Sequence, residues 1–255
     1  MKITSISGVR ADEKTRDIPE DKLRRAPVLR TLASGEYDSL MSAGRSVRIR
    51  ETRSGYYFFT VDDAGDIPEL TDDIKADGGV KRFIAVDSEC ENVWRGIFPD
   101  AEYRYFNMTV ITPETLRPPY DDIRLPGDVR MTETDDSWDE LIIGVCADEE
   151  FTPELLKRQF RENLSAGLVS DGKKIGFVST HLNGELGSQW ISPEFRGKGI
   201  GQILLYNYLN EYFKSNPIGF ALCAPHNAGA KKMVLNLGFS ILDRQALLIT
   251  VHDRK

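Results

Sequence analysis

Long apolar runs and paired cysteines are both missing from this sequence. Its 255 residues contain only three cysteines, Cys90, Cys146 and Cys223, which lie far apart. No stretch approaches the roughly 18 uninterrupted apolar residues that a membrane span needs. The segment after Met1 becomes charged too early for a secretory signal peptide. A sparse, odd set of cysteines without an export signal indicates reduced thiols, so we expect a cytoplasmic protein without a membrane partner.

An excess of positive charge is missing as well. The net charge is −7, which argues against nonspecific nucleic-acid binding and is compatible with a cationic small substrate. His181, His226 and His252 have no metal-ligand spacing with the cysteines, so we expect no metal site. Hydrophobic residues make up 40% of the chain, and its length suits two domains of ordinary size.

Prolines divide the chain near its middle. Four of them lie between Thr112 and Gly127, where they exclude a helix or a central strand. We interpret this segment as a linker between a domain at 1–126 and a domain at 127–255. Residues 19–43 predict one helix or two, with a break near Ser34. The rest of the first half predicts alternating strands and helices, at 57–61, 67–74, 82–86, 88–97 and 103–110.

The second half has clearer local signals. Asp171-Gly172 predicts a type I′ hairpin turn, and Thr152-Pro153-Glu154 predicts a helix start with a cap, a first-turn proline and a first-turn acid. The predicted helices lie near 138–145, from 153, and at 200–213 and 227–236. The predicted strands lie at 129–131, 167–170, 174–180, 185–191, 219–224, 239–242 and 246–251.

A glycine-rich loop lies between a predicted strand and a predicted helix. Gly197, Gly199 and Gly201 let the backbone approach a ligand closely, and the helix start favours an anion. Arg196 and Lys198 add positive charge, so the loop predicts a phosphate or pyrophosphate site. A P-loop is excluded because Gly199 follows Lys198, and the alternating glycines exclude the dinucleotide fingerprint. The alternative is a surface turn that caps a helix.

Two blocks in this half carry a family resemblance. Arg196-x-x-Gly199-x-Gly201 follows Ile191-Ser192-Pro193, and a second block consists of Asn227, Ala230, Gly238 and Phe239. In these blocks the last half of the chain resembles the GNAT acetyltransferase superfamily. The resemblance implies an α/β (α+β) fold with a mixed, mostly antiparallel sheet flanked by helices. The first half is compatible with a degenerate copy of that fold, which would wall the acceptor pocket or form a homodimer interface.

The resemblance also implies a co-substrate, acetyl-CoA, and the residues that bind it. Its pyrophosphate would bind Arg196, Gly197, Lys198, Gly199, Ile200, Gly201 and Gln202. Its pantetheine arm would pair with Gln189, Trp190 and Ile191 on one side and meet Asn227 and Ala230 on the other.

The chemistry requires a base, because an alkylammonium group has a pKa of roughly 10 and cannot attack a thioester while protonated. Glu185 is our candidate, since some family members use a glutamate near this place; the alternative is a solvated hairpin residue. His181 competes for the role, although a surface position is the more usual one for such a histidine. The tyrosine that usually protonates the leaving thiolate is replaced by Val234. Another group or water then supplies this proton, turnover is slow, or the domain binds without catalysis.

The expected function is transfer of the acetyl group of acetyl-CoA to a primary amine of a small molecule, by direct attack in a ternary complex. The alternatives are acetylation of a protein or peptide amino group and a non-catalytic acyl-CoA-binding regulatory module. The acidic run 133–140 either attracts a cationic amine or, as we expect, caps a helix and faces solvent. We expect Cys223, Tyr206 and Tyr208 to be packed residues without a catalytic role.

Overall fold

The computed structural model describes residues 20–76, 79–119, 124–148 and 151–252. Its helices are α1 (Glu20–Arg24), α2 (Ala26–Ser34), α3 (Ile67–Ala76), α4 (Glu91–Ile97), α5 (Asp139–Cys146), α6 (Pro153–Glu162), α7 (Ile200–Tyr212) and α8 (Ala228–Asn236). Its strands are β1 (Tyr37–Ala43), β2 (Ser46–Glu51), β3 (Tyr57–Thr60), β4 (Lys81–Ala85), β5 (Glu102–Ile111), β6 (Val129–Thr132), β7 (Ser165–Ser170), β8 (Lys173–Thr180), β9 (Leu186–Ile191), β10 (Gly219–Cys223) and β11 (Ser240–Val251).

The strands form two sheets. The larger has the order β1-β2-β3-β4-β11-β5-β10, and the smaller has the order β6-β7-β8-β9. Among the described pairings only that of β3 with β4 is parallel. The predicted mixed, mostly antiparallel α/β architecture is therefore confirmed.

Helices cover both sheets. On one face of the larger sheet, Val28 of α2 packs against Ile49 and Phe58, and on the other face α3 and α4 contribute residues such as Leu70 and Trp94. The smaller sheet lies between α7 on one side and α5 with α6 on the other. In the part of the chain that the structure describes, no helix is long and apolar enough to cross a membrane.

The larger sheet combines both halves of the chain. β10 pairs with β5, and β11 lies between β4 and β5, antiparallel to both. The two strands predicted at 239–242 and 246–251 form one strand, β11, with an irregularity between Ile241 and Gln245. The division at 126/127 thus separates sequence segments, while the last two strands return to the sheet of the first half.

The helix prediction over 19–43 is only partly right. Helices α1 and α2 occupy 20–34, and Gly35 ends α2 with a positive φ of 71°. Residues 37–43, however, form β1, which pairs with β2. β1 is an edge strand whose side chains are exposed or half-buried except that of Ala43, so it lacks the apolar alternation of a strand with one buried face.

Local signals in the second half are confirmed. Asp171 and Gly172 have positive φ angles of 47° and 77°, as a type I′ turn requires. The Thr152 hydroxyl accepts a hydrogen bond from the Leu155 N–H at 3.3 Å and caps α6. The described residues of the proline-rich segment 112–127 form neither helix nor strand.

Candidate active site

The two sheets meet at a gap between β9 and β10. β9 is the last strand of the smaller sheet and β10 the last strand of the larger one, and the two do not pair. Each presents a strand edge to the other, which is the arrangement that accepts an extended ligand chain by main-chain hydrogen bonding. One side chain bridges the gap: the Glu185 Oε1 accepts a hydrogen bond from the Leu222 N–H of β10 at 3.1 Å.

A bulge interrupts β9 inside this gap. Ser188 has a positive φ of 51°, which is rare for a residue with a side chain, and the register with β8 shifts at this place. The Ser188 Oγ accepts a hydrogen bond from the Gln159 Nε2 at 2.8 Å. The bulge re-aims the β9 backbone beside the gap. Sequence reasoning missed it, although Gly187 inside a strand is the usual signal for a bulge.

The glycine-rich loop leads from β9 into α7. Gly197 and Gly199 have positive φ angles of 75° and 74°, and Gly199 precedes α7 with no side-chain cap. The Arg196 N–H donates to the Pro193 carbonyl, and the Gln202 and Ile203 N–H groups both donate to the Gly199 carbonyl, so these three are engaged within the protein. The first-turn N–H groups of Ile200 and Gly201 are thus available at the positive end of a 13-residue helix. This geometry fits an anionic ligand.

Side chains hold this loop against β9. The Gln189 Nε2 donates to the Gly201 carbonyl at 2.8 Å, and the Arg196 Nε donates to the Ile191 carbonyl at 2.7 Å. Lys198 lies 5.4 Å from the centre of the Phe195 ring. The Gln189 amide thus fixes the start of α7 against β9.

The other predicted cofactor residues belong to elements on both sides of the gap: Trp190 is on β9, Gln202 is on α7, and Asn227 follows β10. Gln202 has a buried Oε1 with no hydrogen-bond partner among the described residues. Trp190 stacks on Phe177, with ring centroids 5.8 Å apart. The Asn227 Oδ1 accepts from the Ala230 N–H at 3.0 Å and caps α8, which leaves the amide group of this exposed side chain to donate.

Only a glycine fits at Gly238, near the end of the second block. Gly238 has φ +93°, and a Cβ at this position would lie 1.9 Å from the Thr115 carbonyl oxygen. Val234 is 4% exposed and packs in the core of the second half. At the position of the tyrosine that usually protonates the leaving thiolate, the chain therefore has a buried aliphatic residue.

A cavity of about 400 Å³ opens beside the Glu185 carboxylate. Ile84 and Phe106 of the larger sheet line it, as do Tyr56, which precedes β3, and Phe151, Leu155 and His181 of the second half. The N-terminal half thus contributes directly to the cavity that contains the candidate base.

His181 and Glu185 belong to one turn. The Glu185 carbonyl accepts from the His181 N–H at 2.8 Å, and the His181 carbonyl accepts from the Gly184 N–H at 2.9 Å. The His181 ring lies 4.9 Å from that of Phe151. Burial lowers the pKa of His181 to about 4, so it is neutral near pH 7. His181 is half-buried, and its ring lines the cavity.

Two of the other candidates are packed as expected. Cys223 is buried in the core of the second half, and burial raises the pKa of its thiol. Tyr208 is buried too; its hydroxyl contacts Thr180 and donates to the Leu164 carbonyl, and burial raises its pKa. Tyr206 is partly buried against the same core.

The acidic run 133–140 stabilises the start of α5 and its contact with α6. The Asp135 carboxylate accepts from the Ser137 N–H at 2.9 Å and caps the turn before α5. Asp136 and Asp139 pair with Arg161 of α6 at 2.9 and 3.1 Å. These acidic residues cap a helix start and form surface ion pairs. This agrees with the expectation of helix capping on a solvent-exposed face.

Solved structures share this fold over nearly the whole chain. A Drosophila protein superposes with a TM-score of 0.60 at 11% identity, covering 92% of this chain and 97% of its own. A GCN5-related N-acetyltransferase from Kribbella flavida gives 0.55 at 12% identity, covering 91% and 96%. A tandem GNAT protein from the clavulanic acid biosynthesis pathway gives 0.50 at 14% identity, covering 91% and 95%. The architecture is therefore that of a GNAT fold with a preceding second α/β domain.

The sequence identifies the family of the C-terminal half. Residues 132–239 match the profile of the acetyltransferase (GNAT) family. This half therefore contains a GNAT acetyltransferase domain, and the glycine-rich loop lies within it. The chain matches no curated protein significantly.

Proposed function

We propose that this protein transfers the acetyl group of acetyl-CoA to a primary amine of a small molecule, by direct attack in a ternary complex. The GNAT domain at 132–239 supports acetyl transfer. The proposal of a small-molecule acceptor is supported by the cavity of about 400 Å³, which residues of both halves line. The Glu185 carboxylate lies at this cavity, at the gap between the sheets. Small-molecule pockets have volumes of about 300–1,000 Å³.

The residues around the loop fit the co-substrate. The available N–H groups of Ile200 and Gly201 and the exposed Arg196 and Lys198 suit the pyrophosphate. The unpaired edge of β9, including Trp190 and Ile191, suits the amides of the pantetheine arm. The thioester would then lie in the gap, between the Ser188 bulge and β10.

Glu185 acts as the base in this proposal. The amine nitrogen attacks the thioester carbonyl carbon, its proton passes to the Glu185 carboxylate, and the carbon–sulfur bond breaks. Backbone N–H groups beside the Ser188 bulge stabilise the oxyanion. Because Val234 is an aliphatic residue, water protonates the departing thiolate.

The test is a comparison of Glu185→Gln with the parent protein. Glutamine keeps an oxygen that accepts from the Leu222 N–H, so the gap retains its geometry while the base is lost. We expect kcat/KM for amine-dependent thiol release to fall by about 10²–10⁴-fold and the pH dependence of the rate to change, with CoA affinity unaltered.

Glu211→Gln is the matched control, since Glu211 is an exposed residue of α7 that pairs with Lys214. We expect it to behave as the parent. An unchanged rate and pH profile in Glu185→Gln would remove Glu185 as the base.

The buried Val234 favours a second candidate, a regulatory module that binds acyl-CoA without turnover. Calorimetry and thiol release distinguish the two functions. If acetyl-CoA binds tightly but no amine raises thiol release above background, the protein is a regulatory module and the proposed acetyl transfer is wrong. Acetylation of peptide amines in preference to small amines would instead favour a protein acceptor.

A further inference from the structure

One polar side chain is buried on the apolar face of α6. The residues that α6 buries are Leu156, Gln159 and Phe160, and Gln159 is only 1% exposed. A buried amide group costs free energy unless it forms hydrogen bonds. Because an aliphatic residue would pack at this position without that cost, the hydrogen bond of Gln159 indicates what its side chain does.

The Gln159 amide reaches the bulge in β9. Its Nε2 donates to the Ser188 Oγ at 2.8 Å, and the two residues are 29 apart in the chain. Ser188 has a φ of 51°, a backbone conformation that is unfavourable for a residue with a side chain. The hydrogen bond from α6 therefore offsets part of this cost and holds the bulge in one conformation.

Both residues of the bulge are tied to helices. In the pairing of β8 with β9, two residues, Ser188 and Gln189, lie where β8 has only Val178. The Gln189 Nε2 donates to the Gly201 carbonyl of α7 at 2.8 Å. Ser188 is thus fixed to α6 and Gln189 to α7, which leaves this part of the β9 backbone little freedom.

The bulge also contacts the lining of the acceptor cavity. Gln159 and His181 both line this cavity. His181 packs against Gly187, the residue before the bulge, where a Cβ would lie 2.0 Å from the His181 Nε2. Gln159 therefore connects the cavity to the strand beside which the thioester would lie in the proposed reaction.

We propose that Gln159 is a positioning residue for the transfer step. Its amide holds the Ser188 bulge so that backbone N–H groups of β9 point at the thioester carbonyl. Donors that are fixed in advance stabilise a developing oxyanion because they need not reorganise during the reaction. Gln159 acts through Ser188 and does not itself touch the reacting atoms. This inference rests on the proposed acetyl transfer and adds a residue of α6 to it.

Gln159→Met tests the proposal, because methionine has a similar volume and no hydrogen-bond donor. We expect kcat for amine-dependent thiol release to fall by about 10–100-fold, while KM for acetyl-CoA stays within about 2-fold of the parent value. A hydrogen bond that only attached α6 to the sheet would lower the stability in urea and leave kcat intact. An unchanged kcat in the folded variant would therefore overturn the proposal.

Arg161→Gln is the matched control on the same helix. Arg161 is exposed and pairs with Asp136 and Asp139, so its loss weakens the contact of α6 with α5 without changing the bulge. We expect it to have the kcat of the parent. If it lowers kcat as much as Gln159→Met does, loosening of α6 explains both effects and Gln159 has no positioning role.

Ser188→Gly removes the same hydrogen bond from its other end. Glycine adopts a positive φ readily, so the bulge stays allowed when the acceptor is lost. Because Gln159 acts through Ser188, the double variant should lose about as much kcat as one single variant, whereas multiplied effects would overturn the proposal. If Gln159→Met does not fold, kcat of Ser188→Gly decides: a similar fall supports the positioning role and an unchanged value overturns it.

Infrared spectroscopy of bound acetyl-CoA with an isotope-labelled thioester carbonyl separates this inference from the proposed function, because it needs no turnover. Hydrogen bonds from β9 should lower the carbonyl stretching frequency in the parent, and Gln159→Met should lose most of this shift. If the shift behaves in this way but no amine releases thiol, acetyl transfer is wrong and the positioning of the carbonyl stands. If thiol is released while parent and variant have the same band, acetyl transfer stands and the role of Gln159 is overturned.

Discussion

At the scale of single residues, the cavity controls the charge of His181. The ring packs against Phe151, and a Cβ on Gly187 would lie 2.0 Å from its Nε2, so protein atoms replace much of its water. The neutral imidazole leaves the Glu185 carboxyl group as the base candidate of this turn. A histidine with a pKa of about 4 is also a weak base near pH 7, which disfavours it as the competitor.

This histidine predicts a dependence of stability on pH. The pKa of His181 is about 4 in the folded protein and 6.5 in an ordinary histidine, so the unfolded chain binds more protons between these values. Stability should therefore fall as the pH decreases from about 6.5 to about 4, by up to about 3 kcal/mol from this residue. His181→Asn should flatten this part of the profile, measured by urea unfolding at pH 7.5 and pH 4.5.

His226→Asn is the control for this experiment, because His226 is exposed. It should retain the pH dependence of the parent. If His181→Asn retains it as well, another group causes the loss of stability in acid.

At the scale of elements, the glycine-rich loop joins a strand edge to a helix start. Its backbone conformation requires Gly197 and Gly199 at positive φ, and its attachment to β9 uses Gln189 and Arg196. The loop therefore has a preformed shape in which N–H groups at the start of α7 are available. Such a site loses affinity when a side chain blocks the approach of the ligand to the backbone.

Gly197→Ala tests the loop, with Gly172→Ala as a matched control. Both glycines have nearly the same positive φ, 75° and 77°, and an added Cβ meets no atom within 4 Å at either. Each variant should lose about 1–2 kcal/mol of unfolding free energy, because alanine disfavours this conformation. Only Gly197→Ala should weaken CoA binding, by about 10-fold or more, measured by calorimetry. Equal CoA affinities in the two variants would exclude this loop as the pyrophosphate site.

At the scale of the whole molecule, the C-terminal half depends on the larger sheet. β10 and β11 find their hydrogen-bonding partners in β4 and β5, and residues such as Phe220 and Leu248 pack in a core shared with Ile84 and Met108. Removing the first half would leave two strands with unpaired edges and an exposed apolar face.

We therefore expect the fragment 127–255 not to fold by itself. Circular dichroism during urea unfolding should show no cooperative transition for the fragment, in contrast to the intact chain. Co-expression with the fragment 1–126 should restore the transition, because the partner strands are then supplied. A monomeric fragment 127–255 with a sharp transition would show that the second half is an independent domain.

Adjacent residues determined the local features of this protein. The Asp171-Gly172 turn and the Thr152 cap were both readable from the sequence, because each depends on the backbone preferences of a few neighbouring residues. Short motifs also located the glycine-rich loop and, with the second block, the GNAT domain.

Only the tertiary structure decided the features that join distant parts of the chain. The place of β11 between β4 and β5, and the presence of Arg82 and Arg104 in the same cavity lining as His181, depend on strands paired across more than a hundred residues. The contact of Glu185 with Leu222 joins residues 37 apart across the gap between the two sheets. Such pairings follow from the packing of the whole core and leave little local pattern. The acidic chain therefore has a cavity rich in arginine that its composition did not predict.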